Sequence, residues 1–114
     1  RVAYHAFEGI ALNPDEQKRL IQDVGHKNVL ILRNHGLLTI GTSISNAFKE
    51  MFFLERACQI QVAALAGDRP LTWPDLQVCE HAASQFDQDS NFLQNRDWNA
   101  LLRLLDRTDP SYKA

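Results

Sequence analysis

The sequence predicts an α/β protein in which a sheet lies between helices, and three observations carry that prediction. Two apolar runs, Val29-Leu30-Ile31-Leu32 and Leu37-Leu38-Thr39-Ile40, flank a polar break at Arg33-Asn34-His35-Gly36. Their apolar residues are continuous rather than alternating, the pattern of strands covered on both faces. Beyond them, Ala47, Met51, Leu54, Cys58, Val62 and Leu65 recur at helical spacing along one face. Upstream, Asn13-Pro14-Asp15-Glu16 has the form of a helix start, with Asn13 as N-cap, Pro14 at the first helical position and Glu16 at the capping-box position.

Taken in order, Val2-Ala3-Tyr4-His5 reads as extended, and the chain then passes Gly9 into the first helix. That helix runs through Leu20, Ile21 and Val24 and stops at Gly25; its single narrow apolar stripe places it on a surface. The two strands follow, meeting at the Asn34-His35-Gly36 turn. Ser43 caps a helix that extends to about Ala66 and ends at Gly67. Phe48, Phe52 and Phe53 widen its apolar surface beyond one stripe, so it is either buried centrally or shared with another subunit. Asp68-Arg69-Pro70 reads as a linker and Thr72-Trp73-Pro74-Asp75 as a further helix start. A weaker helix is expected from Asp75 to about Asp87, then the polar stretch Asp87-Gln88-Asp89-Ser90. A last helix is expected near Arg96 to Arg107, stopped by Asp109-Pro110, with a frayed tail.

Composition narrows the function classes. At 114 residues the chain holds one domain at most, large enough to bury roughly 65% of the surface of its unfolded form. The net charge is −2 and the basic residues are scattered, which argues against nucleic acid or an anionic membrane as partner. No apolar stretch is long and charge-free enough to span a bilayer, and no secretory signal is visible. Cys58 and Cys79 form no metal or redox motif and read as buried, reduced thiols, which favours a cytoplasmic location. The chain enters a strand directly at Arg1, the look of a cut chain whose function lies partly upstream.

His35 is the residue that most invites a functional reading. A polar break inside so apolar a run is costly unless its groups have partners, and such local exceptions concentrate at functional sites. An imidazole held at a strand turn suits a metal ligand, since catalytic zinc sites use a few protein ligands and keep an open position; the alternative is a turn histidine bonded to backbone. His5 and Glu8 lie three apart, but in an extended segment that spacing sets them on opposite faces, so His5 reads as part of the wall of the fold. His26 and His81 read as surface residues. Arg33 reads as a sheet-edge salt bridge or an anion contact, and Trp73 and Trp98 as core or interface anchors rather than stacking platforms. There is no G-x-S-x-G and no glycine-rich phosphate loop.

The string Leu30-Ile31-Leu32-Arg33-Asn34-His35-Gly36-Leu37-Leu38-Thr39-Ile40-Gly41 closely resembles the class II aldolase/adducin family. The resemblance continues through Glu8-Gly9-Ile10-Ala11, Ala47-Phe48, Leu54 to Gln61 and Trp98 to Arg107, in the order expected for the C-terminal half of that family's domain. It implies a three-layer α/β/α fold around a central mixed, largely antiparallel sheet, with residues 1–114 as the C-terminal portion of a single domain and the N-terminal portion absent. It implies that His35 is the third imidazole ligand of a catalytic zinc, or of another divalent metal, whose other two ligands form a His-x-His pair that this chain lacks.

The activity implied is retro-aldol cleavage of a sugar phosphate or related hydroxy-carbonyl substrate through a metal-stabilised enediolate, with an upstream carboxylate handling the proton. The chain alone, holding one imidazole of the site, is expected to be inactive. Enzymes of the family are commonly cyclic tetramers, so a homo-oligomer, a tetramer in the family's usual form, is the implied assembly. The alternative is a non-catalytic, adducin-like oligomerisation module, since Leu32-Arg33-Asn34-His35-Gly36 and Leu54-Glu55-Arg56-Ala57-Cys58 are closer to adducin heads. Strands with apolar faces and missing neighbours leave an edge prone to pairing. The isolated chain is therefore expected to be oligomeric or poorly soluble, and a sharp monomeric mass by light scattering would contradict this.

Overall fold

A computed structural model describes residues 1–10, 12–67, 69–88 and 90–113, the side chains of 90–95 apart. Its elements are β1 (Val2–His5), α1 (Pro14–Val24), β2 (Val29–Leu32), β3 (Gly36–Thr39), α2 (Ile44–Leu65), α3 (Leu76–Gln88) and α4 (Ser90–Thr108), followed by a 3₁₀ turn at Pro110–Lys113. Residues 1–68 and 69–114 form two separate compact units.

The first unit is a three-stranded sheet in the order β1-β2-β3, with α1 and α2 packed on it. β1 runs parallel to β2 in the register Val2↔Val29 to His5↔Leu32, and β2 runs antiparallel to β3 from Val29↔Thr39 to Leu32↔Gly36. A parallel pair cannot be closed by a tight turn and needs a crossover, which α1 supplies. The core joins Ala3, Val24 and Leu30 with the partly buried Leu20, Leu32 and Leu38. Leu30, at the centre of the middle strand, is fully buried.

The helix starts follow the sequence signals. Asn13 caps α1, its side chain accepting from the Asp15 amide at 2.9 Å, and Gly25 ends the helix with φ 54°. Ser43 caps α2, accepting from the Asn46 amide at 3.1 Å. Glu16 departs from its expected capping role, because it lies on the inner stripe Glu16-Leu20-Val24 and is buried. The mixed sheet of an α/β fold is as expected, but cover on both faces is only partial in this chain. Val29 and Leu30 are buried, whereas Ile31, Leu32 and all of β3 are half-buried. On α2 only Leu54 is buried, and Phe48, Phe52, Phe53, Ile60, Val62 and Leu65 are exposed. The helix is therefore not centrally buried within its own unit.

In the second unit, α3 spans nearly the residues expected. The linker position Asp68 and Asp89 of the polar stretch lie outside the described residues, as does Ala11. α4 begins at Ser90, six positions before the expected start at Arg96. Asn91, Asn95 and Asp97 obscured the helix in the sequence, since Asn and Asp favour caps and turns, yet the long downstream segment propagates helix through them. Through Lys113 the tail is tied down rather than frayed. Tyr112 donates its hydroxyl to Asp106 at 2.6 Å and Lys113 pairs with the same carboxylate at 2.7 Å. Both partners lower the Asp106 pKa. Neither cysteine is buried as expected: Cys58 is half-buried and Cys79 exposed, each on a helix with little cover in its own unit. Among the described residues no helix is long and apolar enough to cross a membrane.

The β3–α2 connection gives a sharp test of this packing. A Cβ at Gly41 would press on the Ala47 amide nitrogen and stand 2.6 Å from Asn46 Oδ1 and 3.0 Å from Ala47 Cα. Gly41→Ala is expected to destabilise by about 2 kcal/mol, against about 1 kcal/mol for Ser43→Ala at the neighbouring cap, measured by urea unfolding. Equal effects would show that the helix start has room to shift.

Candidate functional site

Parallel pairing of β1 and β2 makes both strands end on the same side, and that end carries the polar residues. His5 closes β1 beside Leu32, and its carbonyl accepts the Arg33 amide at 3.0 Å. The chain then turns back through Arg33-Asn34-His35. The His35 amide donates to the Leu32 carbonyl at 3.0 Å, and Asn34 has φ 57°, a left-handed conformation that asparagine tolerates better than most side chains. His35 is thereby presented at the hairpin tip with its imidazole exposed, its ring 6.4 Å from that of Phe7.

A cavity of about 120 Å³ opens here. His5, Glu8, Glu16, Arg33 and His35 contribute its polar lining, and Phe7, Leu20, Leu32 and Leu38 its apolar lining. His5 is 3% exposed. Its Nδ1 lies 2.8 Å from Asp23 Oδ2, and its Nε2 lies 3.8 Å from both Glu8 Oε1 and Glu16 Oε1. At 3.8 Å neither contact is a hydrogen bond, and Nε2 is buried with no hydrogen-bond partner among the described residues. Glu8 is held by Arg19, which donates Nε to Oε1 at 2.9 Å and Nη2 to Oε2. The Arg19 hydrogen bonds hold the Glu8 carboxyl below the usual range against the opposing effect of desolvation, the Arg19 charge adding a lesser part, and Glu8 raises Arg19 in turn.

The expectation that His5 and Glu8 lie on opposite faces fails here. β1 ends at His5, so the alternation of a strand does not extend to Glu8, and the loop that follows the strand sets the carboxylate 3.8 Å from His5 Nε2. Glu16, Arg19 and Asp23 had no place in the sequence reading of the site. Their signal was present: positions 16, 19, 20 and 23 share one face of α1, where Leu20 is apolar and two carboxylates accompany it. His26 and His81 are exposed as expected. Arg33 makes no salt bridge among the described residues, and its guanidinium lies 5.0 Å from the centre of the Tyr4 ring. Trp73 is exposed and Trp98 half-buried, both in the second unit and outside the cavity lining.

Among the described residues no three His, Cys, Asp or Glu side chains gather as ligands. His35 supplies one imidazole, the cavity's other imidazole has its Nδ1 committed to Asp23, and the remaining ligands would have to come from elsewhere. These residues by themselves do not make a metal site.

Residues 1–62, which contain the whole cavity lining, match the family model described as Class II Aldolase and Adducin N-terminal domain. The chain belongs to the class II aldolase/adducin family. It is 42% identical to a Pseudomonas aeruginosa protein named "Putative aldolase class 2 protein", over 98% of this chain and 45% of that one. It is 46% identical to alpha-adducin of Rattus norvegicus over 57% of this chain and 9% of the adducin. A crystal structure of an aldolase II superfamily protein from Pseudomonas syringae superposes with a TM-score of 0.88 at 46% identity, over 100% of this chain and 46% of that one. The chain thus spans less than half the length of these relatives. The superposition places the sheet and helices in the α/β fold of that superfamily.

The Glu8–Arg19 pair has a pH signature with a definite sign. The folded pKa of Glu8 is depressed, so its contribution to stability is present above the unfolded value and is lost as pH falls through the folded one. Arg19→Gln is expected to move the Glu8 midpoint upward toward the ordinary carboxylate range, followed by carboxyl-carbon NMR. An unmoved midpoint would exclude the guanidinium as the cause.

Proposed function

We propose that this chain is the C-terminal portion of a longer class II aldolase-type domain, and that the whole protein is a metal-dependent lyase. Its substrate class is a sugar phosphate or related hydroxy-carbonyl compound, cleaved by a retro-aldol reaction. The observation that carries the reading is the exposed imidazole of His35 at the hairpin tip, in the wall of a cavity lined by a second imidazole and two carboxylates. The names of the aldolase class 2 and aldolase II relatives support it. In this reading His35 contributes one ligand to a divalent ion, zinc by its nitrogen chemistry, with other imidazole-binding ions as substitutes. When bound, the ion supplies Lewis-acid polarisation of a carbonyl oxygen.

The chain's own residues support a small, hydroxylated ligand. Leu20, Leu32 and Leu38 give the cavity an apolar side that excludes water, while Glu8 and Glu16 accept from ligand hydroxyls. Arg33 provides the positive charge at this end of the sheet. The proposed setting is cytoplasmic and homo-oligomeric, without nucleic acid or membrane. A second reading, the adducin-like assembly module, is favoured by one observation, the run of exposed Phe48, Phe52, Phe53 and Ile60 on α2 together with the adducin relatives; contiguous apolar surface of that kind marks interfaces.

Elemental analysis of the whole protein separates the two. About one divalent ion per subunit, lost in a His35→Ala variant that keeps its circular dichroism, is expected for the lyase. Absence of metal from both proteins would transfer the assignment to the assembly module.

A further inference from the structure

Sequence resemblance places the proton-handling carboxylate of this family upstream of the chain, yet the chain's own cavity holds a buried carboxylate and a buried imidazole facing each other. We propose that Glu16 and His5 form a proton-transfer pair in the wall of the His35 cavity, with Asp23 fixing the imidazole. The inference rests on the reading of that cavity as the site of a hydroxy-carbonyl ligand.

The geometry is specific. His5 Nδ1 is 2.8 Å from Asp23 Oδ2, and an ionised carboxylate only accepts, so the proton of that bond belongs to Nδ1. Nε2 is then the nitrogen turned toward Glu8 and Glu16, each 3.8 Å away. A neutral imidazole in this pose would direct its lone pair at two carboxylates in a site where burial strengthens the repulsion. One proton, held on Nε2 or on Glu16, removes it. Glu8 is engaged through both oxygens by Arg19 and stays ionised. Glu16, 6% exposed at its side chain, has no ion pair other than His5 among the described residues. It is the carboxylate left to share the proton.

The 3.8 Å separation exceeds a direct hydrogen bond by roughly one ångström, so a small approach makes the bond and the resting state does not lock it. A ligand carbon or hydroxyl gives its proton to a Glu16 oxygen: the ligand's bond to hydrogen breaks, its electron pair stays on the ligand, and an O–H bond forms. In the reverse direction that O–H returns the proton. His5 does not need to touch the ligand. It is a positioning residue that shares the proton through Nε2, while the partly exposed Glu8 borders it on the solvent side.

The test uses the whole, metal-loaded protein with dihydroxyacetone phosphate in heavy water, reading hydrogen exchange at its carbons by proton NMR. Glu16→Gln and His5→Asn, whose amide reaches Asp23 as Nδ1 does, are each expected to slow exchange about 100-fold with KM within about threefold, and His26→Ala to leave it unchanged. Exchange within about threefold of wild type in both variants overturns the pair. Imidazole nitrogen spectra give a readout independent of turnover. The His5 Nε2 signal is expected to move in Glu16→Gln while Nδ1 keeps its proton, and an unmoved Nε2 overturns the proposal. If wild type does not exchange the probe, the ligand class of the functional reading fails, and the nitrogen spectra still decide the pair.

Discussion

The parallel contact between β1 and β2 is the constraint on which the site depends. Because the two strands run the same way, His5 and the Arg33-Asn34-His35 turn emerge at one end of the sheet, joined by the His5 carbonyl and the Arg33 amide. In open α/β sheets the carboxyl ends of parallel strands are where ligands bind. An antiparallel β1 would send His5 to the opposite end. The same contact obliges the chain to cross over, and the crossover helix α1 brings Glu16, Arg19 and Asp23 to the residues leaving β1.

Burial of charge in this small unit follows from that arrangement. Glu16 occupies the first position of the inner stripe of α1, where the helix N-terminus favours a carboxylate. Asp23 lies in the last turn, where the helix dipole opposes one, and its bond to His5 offsets the opposition. Of these two carboxylates only Glu16 is buried, and a buried ionic group needs a partner because removing it from water costs several kcal/mol; Asp23 is exposed. His5 serves as the common partner of both carboxylates, which ties the two ends of α1 to a single strand residue. The same imidazole would be an ordinary wall residue without them.

α2 follows a different logic. Its cap, its length and its apolar surface agree, yet within its own unit it buries only Leu54. A helix apolar around much of its circumference is stable in water only when more of it is covered than this sheet covers. Phe52 and Phe53 pack edge to face on each other, and Arg56 lies over Phe52; these local contacts shield a part of the exposed rings.

What the sequence determined by itself is local. The caps at Asn13 and Ser43, the stop at Gly25, the hairpin at Asn34-His35-Gly36 and the length of α2 depend on side chains within a few residues of the backbone they satisfy, so each has a readable signal. The α/β class was legible from the same local periodicities, as was the exposure of His26 and His81, whereas the mixed pairing of the sheet was implied only by the family resemblance. Partial cover of the strands was not, because burial depends on how many neighbours arrive and not on how apolar a strand is. Only the tertiary structure decided that His5 faces Glu8, Glu16 and Asp23. Those residues are separated by up to 18 positions, and they meet because a parallel register sets one strand end beside a particular face of the crossover helix. Periodicity fixes which α1 residues share a face; pairing between distant strands fixes what that face meets.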